Sequence, residues 1–326
     1  MRYNVIGDIH CRESFKSLLR DDCVNIFVGD YFSPYDENIS FADQVKIFED
    51  IIQYKKDHPE TVLLIGNHDV DHWVLNERYS RFDSTNYNVI KHLFENNKEL
   101  FSVAYSINNT AIVSHAGVSI VWYLNKRYKM HILNIVDLMC SDIHANNIID
   151  AIEQYLNPPG ETTYFRPAKV LMSELNLFLW KNNFYSYNLT TQTFDIIEIP
   201  TPDELASWIN NAFFNDCHYS WFDFKHNATY FDTYGESMTH GPLWIRPDEL
   251  EYANIYRYSN IKQFVGHTQH SNIKLSDHNL YGKYINLDGN YSDINRIAII
   301  YTDCLEHSTE SVIYDTYNNY LVLNKK

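Results

Sequence analysis

The feature that most constrains this chain is one short pattern written five times: a run of β-prone apolar residues, a small residue, then a side chain able to hold a cation. It stands at Asn4-Val5-Ile6-Gly7-Asp8-Ile9-His10, Ile26-Phe27-Val28-Gly29-Asp30, Val62-Leu63-Leu64-Ile65-Gly66-Asn67-His68 and Phe264-Val265-Gly266-His267. A variant, Ala111-Ile112-Val113-Ser114-His115-Ala116-Gly117, carries Ser in place of the first Gly. Each apolar run predicts a buried strand, and the small residue lets the backbone turn so that the next side chain projects from the strand end. Five strand ends bearing Asp, His and Asn can converge on one sheet edge, which is the outline of a metal site.

The elements between these runs favour an α/β chain. Phe15, Leu18 and Leu19 lie at helical spacing behind Ser14, and Ser40 with Asp43 forms a capping-box variant. That box opens a helix with Phe41, Val45, Phe48 and Ile52 on one face, ended by His58-Pro59. A further helix is predicted over Val89 to Phe94. The β-α-β-α-β order predicts a mostly parallel sheet with functional loops at the carboxyl ends of its strands. Closely spaced short strands at Tyr284 to Asp288, Arg296 to Tyr301, Ser311 to Tyr314 and Tyr320 to Leu323 predict an antiparallel half.

From 120 to 240 the strand-Gly pattern disappears, and helices are predicted over Met130 to Met139 and Asn147 to Leu156, broken by Asn157-Pro158-Pro159-Gly160. We take residues 1–326 as one domain carrying 120–240 as a mainly helical cap or insertion, the natural seat of substrate choice. Asp142-Ile143-His144 has no preceding strand and is set aside as a ligand pair; His240 and His270 lie close enough to the motifs to be watched.

With 45% hydrophobic and 21% charged residues the chain is globular rather than disordered. The formal net charge of -16 disfavours a broad electrostatic grip on nucleic acid or anionic lipid, though bound cations would reverse the sign locally. No apolar run approaches the ~20 residues of a membrane helix, and no signal-peptide pattern precedes the first strand. Five cysteines without framework spacing fit reduced thiols, so a soluble cytoplasmic protein is expected.

The chemistry follows from the sum Asp8, His10, Asp30, Asn67, His115 and His267. Six oxygen and nitrogen donors exceed what one ion needs beside its waters and suit two adjacent divalent ions, with Asp30 as the bridge. Two ions ~3.5–4 Å apart bring a bridging water to ionisation near neutrality and clamp a phosphoryl group for in-line displacement. Hydrolysis of a phosphate ester is therefore predicted, with manganese first among the metals and iron, zinc or nickel also fitting.

Taken in order, Gly7-Asp8-Ile9-His10, Gly29-Asp30, Gly66-Asn67-His68-Asp69, His115-Ala116-Gly117 and Gly266-His267-Thr268 resemble the motif set of the calcineurin-like metallophosphatases. Gly241-Pro242-Leu243-Trp244-Ile245-Arg246-Pro247 and Ile285-Asn286-Leu287-Asp288-Gly289 are similar to late segments of the phosphoprotein phosphatase branch, which includes Ser/Thr phosphatases and symmetrical diadenosine tetraphosphate hydrolases. The resemblance covers both ends of the chain and skips most of its middle. It implies a four-layer sandwich of two facing mixed β-sheets flanked by helices. It also implies that Asp8, His10 and Asp30 hold a first ion and Asp30, Asn67, His115 and His267 a second. By the same carry-over His68 would protonate the leaving group and Arg246 would contact the phosphate of a phosphoprotein or a phosphorylated small molecule.

The second motif departs from the branch. Its usual continuation, Gly-Asp-x-x-Asp-Arg-Gly, is replaced by Gly29-Asp30-Tyr31-Phe32-Ser33-Pro34-Tyr35, so an orienting carboxylate and a phosphate-gripping arginine are missing. Asp36 is the nearest substitute for the first, Arg246 or Arg12 for the second. Gln269 stands where other branches place a histidine. Two rival readings remain at this point: a phosphodiesterase or nuclease on the same scaffold, and a non-catalytic metal-binding module.

Overall fold

The structure is a computed structural model. It describes residues 1–75, 81–128, 184–188, 193–197, 199–225, 239–257, 259–277, 284–287 and 289–325. The helices expected over 130–139 and 147–156, the break at 157–160, Asp142, His144 and Asp288 lie outside the described residues.

In chain order the elements are β1 (Arg2–Ile6), β2 (Val24–Phe27), α1 (Phe41–Asp57), β3 (Val62–Leu64), α2 (Asn67–Val70), α3 (Tyr87–Glu95), β4 (Phe101–Ser102), β5 (Ala104–Ile107), β6 (Ala111–Ser114) and α4 (Ile120–Tyr128). There follow a separate hairpin of β7 (Phe184–Asn188) and β8 (Thr193–Ile197), then α5 (Pro202–Phe214) and α6 (Pro247–Ala253). The last strands are β9 (Lys262–Val265), β10 (Lys274–Asp277), β11 (Tyr284–Asn286), β12 (Asn290–Tyr291), β13 (Ile297–Tyr301), β14 (Glu310–Asp315) and β15 (Tyr320–Lys325).

They form two mixed sheets, ordered β12-β15-β14-β1-β2-β3-β4 and β11-β10-β13-β9-β6-β5. The neighbours β1, β2, β3 and β4 run parallel, as do β6, β9 and β13. The antiparallel strands of the C-terminal part do not make a half of their own: β14, β15 and β12 extend the first sheet, while β10 and β11 extend the second.

Period-two alternation decides which side chain meets which layer. Val5, Ile26, Leu64, Val113 and Phe264 point between the sheets with Ile300, Val312 and Tyr314. Their chain neighbours Ile6, Phe27, Leu63 and Ile112 join the outer core, where α1, α3, α4 and α5 cover the sheets through Phe48, Phe94, Trp122 and Leu205. A fully buried amide row crosses four strands of the first sheet: Asn4 Nδ2 donates to Leu18 O and Asn25 Oδ1, Ser311 Oγ donates to Asn4 Oδ1, and Asn324 Nδ2 donates to Ser311 Oγ. Such a row fixes strand register because a slip would strand every polar group in the core.

One local reading differs from the sequence. The segment behind Ser14 is a short 3-10 turn over Glu13–Leu18 with Ser14 inside it, and no side chain caps its start. Helix α1 does begin at Ser40, whose Oγ accepts from Asp43 N; Phe48 and Ile52 of the expected face are buried with Ile47 and Ile51, Phe41 is half-buried against the same core, and Val45 is half-buried. The described ends of the segment read as a cap, α4 and α5, are packed into the outer core through Val121, Leu124, Leu205 and Ile209. No helix among the described residues is long and apolar enough to cross a membrane.

Candidate metal centre

Because β1, β2 and β3 are parallel neighbours in one sheet and β6 and β9 in the other, their carboxyl ends open on one edge of the sandwich. The ladder continues past the strands, with His10 N donating to Asp30 O and Cys11 N to Tyr31 O. The backbone then turns through left-handed conformations at His10 (φ 44°), Asp30 (φ 51°) and His267 (φ 65°). These are costly for residues with a Cβ and persist where the surroundings hold them. Gly66 and Gly266 are needed for space: a Cβ on Gly66 would strike Asp30 Oδ1, and one on Gly266 would strike Asp8 Oδ1.

All six side chains expected at the site meet there. His10 Nε2 lies 3.9 Å from Asp8 Oδ2 and 3.7 Å from Asp30 Oδ2. His115 Nε2 is 3.6 Å from Asp30 Oδ2, and its Nδ1 is 3.7 Å from Asp8 Oδ1. Asn67 Oδ1 lies 2.9 Å from His115 Nε2 and 2.8 Å from His267 Nδ1. His267 N donates to both Asp8 oxygens at 3.1 and 3.0 Å, joining residues 259 positions apart in sequence. Asp8, His10, Asp30, Asn67 and His115 are buried, and His267 is partly so.

The electrostatics of this set call for cations. Burial pushes the Asp8 carboxyl well above its usual value, with the charges of Asp303 and Asp30 adding to it. Burial likewise lifts Asp30 to about 7. Burial holds His115 down to about 3 and keeps His10 and His267 well below the ordinary imidazole range. Neutral imidazoles beside crowded carboxyls are what a divalent ion binds. Among the described residues His267 Nε2 and both carboxylate oxygens of the buried Asp303 have no hydrogen-bond partner. Orphaned donor atoms at a buried polar site are costly without an ion to occupy them, so this set fits divalent metal. Asp216, Cys217 and His218 also cluster, but two of the three are exposed, and the His218 backbone and ring both bond Asp216 within the turn after α5.

His68 is buried next to the set, its ring edge-on to His10 at 5.6 Å between centroids. Its pKa is held well below the usual value by burial, then by His10 and Arg81. Arg246 sits at the rim, its Nη1 donating to His267 O at 3.4 Å and Thr268 Oγ1 at 3.2 Å. Asp36, suggested as the orienting carboxylate, and Arg12, suggested as a phosphate contact, both have partners elsewhere. Asp36 is occupied by Asn38 in its own turn, and Arg12 is ion-paired with Glu306. Beside them opens a cavity of about 660 Å³ lined by residues that include His10, Arg12, Asp36, Lys46 and Glu306. Of the watched histidines, His240 is buried, and the His270 ring packs on Tyr301 at 5.3 Å.

Three residues escaped the sequence reading. Asp69 is fully buried, its Oδ2 taking Asp30 N and Gly66 N and its Oδ1 taking Tyr31 N, each at 2.8–2.9 Å. It therefore locks the loop that presents Asp30. Asp303 follows β13, which runs parallel to β9, and reaches Asp8 by the same strand-end geometry. Arg81 donates from Nη2 to His68 Nε2 at 2.9 Å.

A family profile described as calcineurin-like phosphoesterase matches residues 1–177. No curated protein matches the chain. Among solved structures, a protein serine/threonine phosphatase from Saccharomyces cerevisiae with similarity to human phosphatase PP5 is similar at 14% identity and TM-score 0.40, over 100% of this chain and 80% of that one. A metallophosphoesterase from Sphaerobacter thermophilus is similar at 12% identity and TM-score 0.40, over 100% of this chain and 88% of that one.

Proposed function

The chain belongs to the calcineurin-like phosphoesterase family and is a metal-dependent phosphoric ester hydrolase, and from that premise we propose that it cleaves phosphate monoesters or pyrophosphate links with a pair of divalent ions. The single observation that carries this reading is the meeting of Asp8, His10, Asp30, Asn67, His115 and His267 at one sandwich edge. In this proposal Asp8, His10 and Asp30 would hold one ion, and Asp30, Asn67, His115 and His267 would hold the other. When bound, such a pair supplies water ionised near neutral pH and positive charge for an in-line displacement. Manganese is the proposed occupant, and the mixed carboxylate and imidazole donors also fit iron, zinc or nickel.

The chain's own groups do the rest. His10 is held by its Nδ1, which lies 3.1 Å from Phe32 O and 3.0 Å from Ser33 O, leaving Nε2 turned to the carboxylates. His115 is fixed likewise through Nδ1 against Val28 O. Both contacts set ring orientation and tautomer, as outer partners of ligating histidines do. His68 N donates to Asp30 Oδ1, so the proposed proton donor and the proposed bridge are positioned by one contact. Phosphorylated small molecules and phosphoproteins are the proposed substrate classes, with Arg246 aiding phosphate capture and 120–240 shaping substrate choice. Buried unpaired thiols at Cys11, Cys23 and Cys304 support a reducing, cytoplasmic setting.

The test is release of phosphate from p-nitrophenyl phosphate by Mn²⁺-loaded protein, with bis-p-nitrophenyl phosphate as the diester arm. We expect chelation to abolish turnover, Mn²⁺ to restore it, and Asp30→Asn to lower kcat by about a thousandfold or more. Protein that stays inert on both esters with every divalent ion tried would refute the reading; preference for the diester would shift it to phosphodiester chemistry.

A further inference from the structure

The altered second motif puts Pro34 where an arginine is expected and Tyr35 just after it, and a different segment brings a guanidinium onto that tyrosine. Arg81 lies beyond α2 with its backbone in the left-handed region (φ 62°), an unfavourable conformation for a residue with a long side chain. Its Cζ sits 3.6 Å from the centroid of the Tyr35 ring, and Tyr35 stands edge-on to His10 at 4.7 Å. From that platform Nη2 donates to His68 Nε2, and the positive charge acts on Asp30 and His10. The guanidinium is thus stacked on one face and held at one corner, directly over the metal-ligand set.

What it lacks is an anion. Arg12 is paired with Glu306 and Lys225 with Asp71, whereas among the described residues Arg81 has no carboxylate within ion-pair distance. Its Nη1 is buried and has no hydrogen-bond partner among those residues. A planar donor fork with one buried, unused N–H, fixed beside a cation site, is an anion receptor, and guanidinium geometry matches the paired oxygens of a phosphoryl group.

We propose that Arg81, seated on Tyr35, is a substrate-binding residue that takes the non-bridging oxygens of the phosphoryl group. The assignment rests on the phosphoesterase reading and deepens it: the arginine missing from the second motif is supplied from outside the strand-end pattern, and Tyr35 is its support. No bond is made or broken by it. The N–H donors of Arg81 turn to phosphate oxygens, which frees the His68 Nε2 lone pair that now accepts from Arg81.

The experiment compares parent, Arg81→Ala, Arg81→Lys and Tyr35→Ala, all Mn²⁺-loaded. It measures KM and kcat on p-nitrophenyl phosphate, inhibition by inorganic phosphate, and equilibrium binding of inorganic phosphate by titration calorimetry. We expect Arg81→Ala to raise KM and the inhibition constant by about tenfold or more, with Arg81→Lys and Tyr35→Ala intermediate. Mn²⁺ content and Tm should stay at parent values, and added guanidinium should restore part of the phosphate binding to Arg81→Ala. Constants within about twofold of the parent overturn the proposal. So does loss of Mn²⁺ in step with the loss of phosphate binding, since that marks a structural role. If the parent binds inorganic phosphate through Arg81 yet turns over no ester, the phosphoesterase reading fails and this one stands; a parent that binds no phosphate sinks this one by itself.

Discussion

Four carboxylates, Asp8, Asp30, Asp69 and Asp303, are buried together, and the protein treats each differently. Asp69 takes three backbone N–H groups, which favour its ionised form, while burial and the Asp30 charge still push its pKa well above the usual value. Asp8 takes His267 N, and Asp30 takes His68 N. Asp303 takes no backbone N–H among the described residues, and burial lifts its pKa to about 7, with Asp30 adding to it and Arg12 opposing. A carboxylate so placed beside Asp8 is held down only by positive charge, so Asp303→Asn should remove negative charge that attracts the ions. We expect its Mn²⁺ affinity to fall by about tenfold in calorimetric titration while Tm of the metal-free protein holds or rises. Unchanged affinity would leave Asp303 without a part in metal binding. Asp69 stood in plain sight within Gly66-Asn67-His68-Asp69, yet its work lies in backbone contacts that no spacing announces. Asp303 was hidden because Thr302 replaces the glycine of the pattern, although Ile297-Ala298-Ile299-Ile300-Tyr301 before it is the same kind of strand.

Strand ends are the elements on which the site is built, and the glycine before each ligand has a separable reason to be there. Gly29 has φ +114°, so any side chain there is strained whatever the space, but Gly266 has no such backbone demand. At Gly266 the constraint is the Asp8 carboxylate, which occupies the volume a methyl would fill. Gly266→Ala should therefore displace Asp8 and His267 while leaving β9 paired, at a stability cost of about 1–3 kcal/mol. Metal analysis after gel filtration checks this, with substoichiometric Mn²⁺ as the expected outcome; full occupancy and parent Tm would remove the close-approach argument. The same strand-then-Gly signal made β1, β2, β3, β6 and β9 legible in advance, because buried parallel strands read as uninterrupted apolar runs. The strands β4, β5 and β10 were not foreseen. Phe101–Ser102 and Lys274–Asp277 are two and four residues long and mix polar with apolar side chains, so pairing with β3 and β13 rather than their own pattern makes them strands. Helix α5 carries a start signal in its sequence: Thr201 and Glu204 form a reciprocal capping box with Pro202 at the first turn.

At the scale of the whole molecule, two sheets facing each other concentrate buried charge at one edge, and that makes stability depend jointly on pH and metal. Carboxyls with raised folded-state values, Asp30 and Asp303 from 3.8 to about 7 and Asp8 upward as well, contribute stability that is complete below 3.8 and lost as pH rises through the folded value. Histidines with lowered values act oppositely: His115, from 6.5 to about 3, contributes above 6.5 and loses its contribution as pH falls toward 3, and His10, His68 and His267 share that direction. Between 3.8 and 6.5 the two sets oppose each other; above 6.5 the histidine contribution is complete and the carboxyl loss runs on alone. Divalent ions favour the ionised carboxylates and the neutral imidazoles, so their stabilisation should grow over that upper window. In thermal melts of chelator-treated and Mn²⁺-saturated protein, the difference in Tm should widen from pH 6.5 to about pH 8, and the metal-free protein should carry the change by melting lower at the alkaline end. A difference that narrows over that range would mean that the buried carboxylates are neutralised within the protein itself, by Arg12 and Arg81, rather than by bound cations.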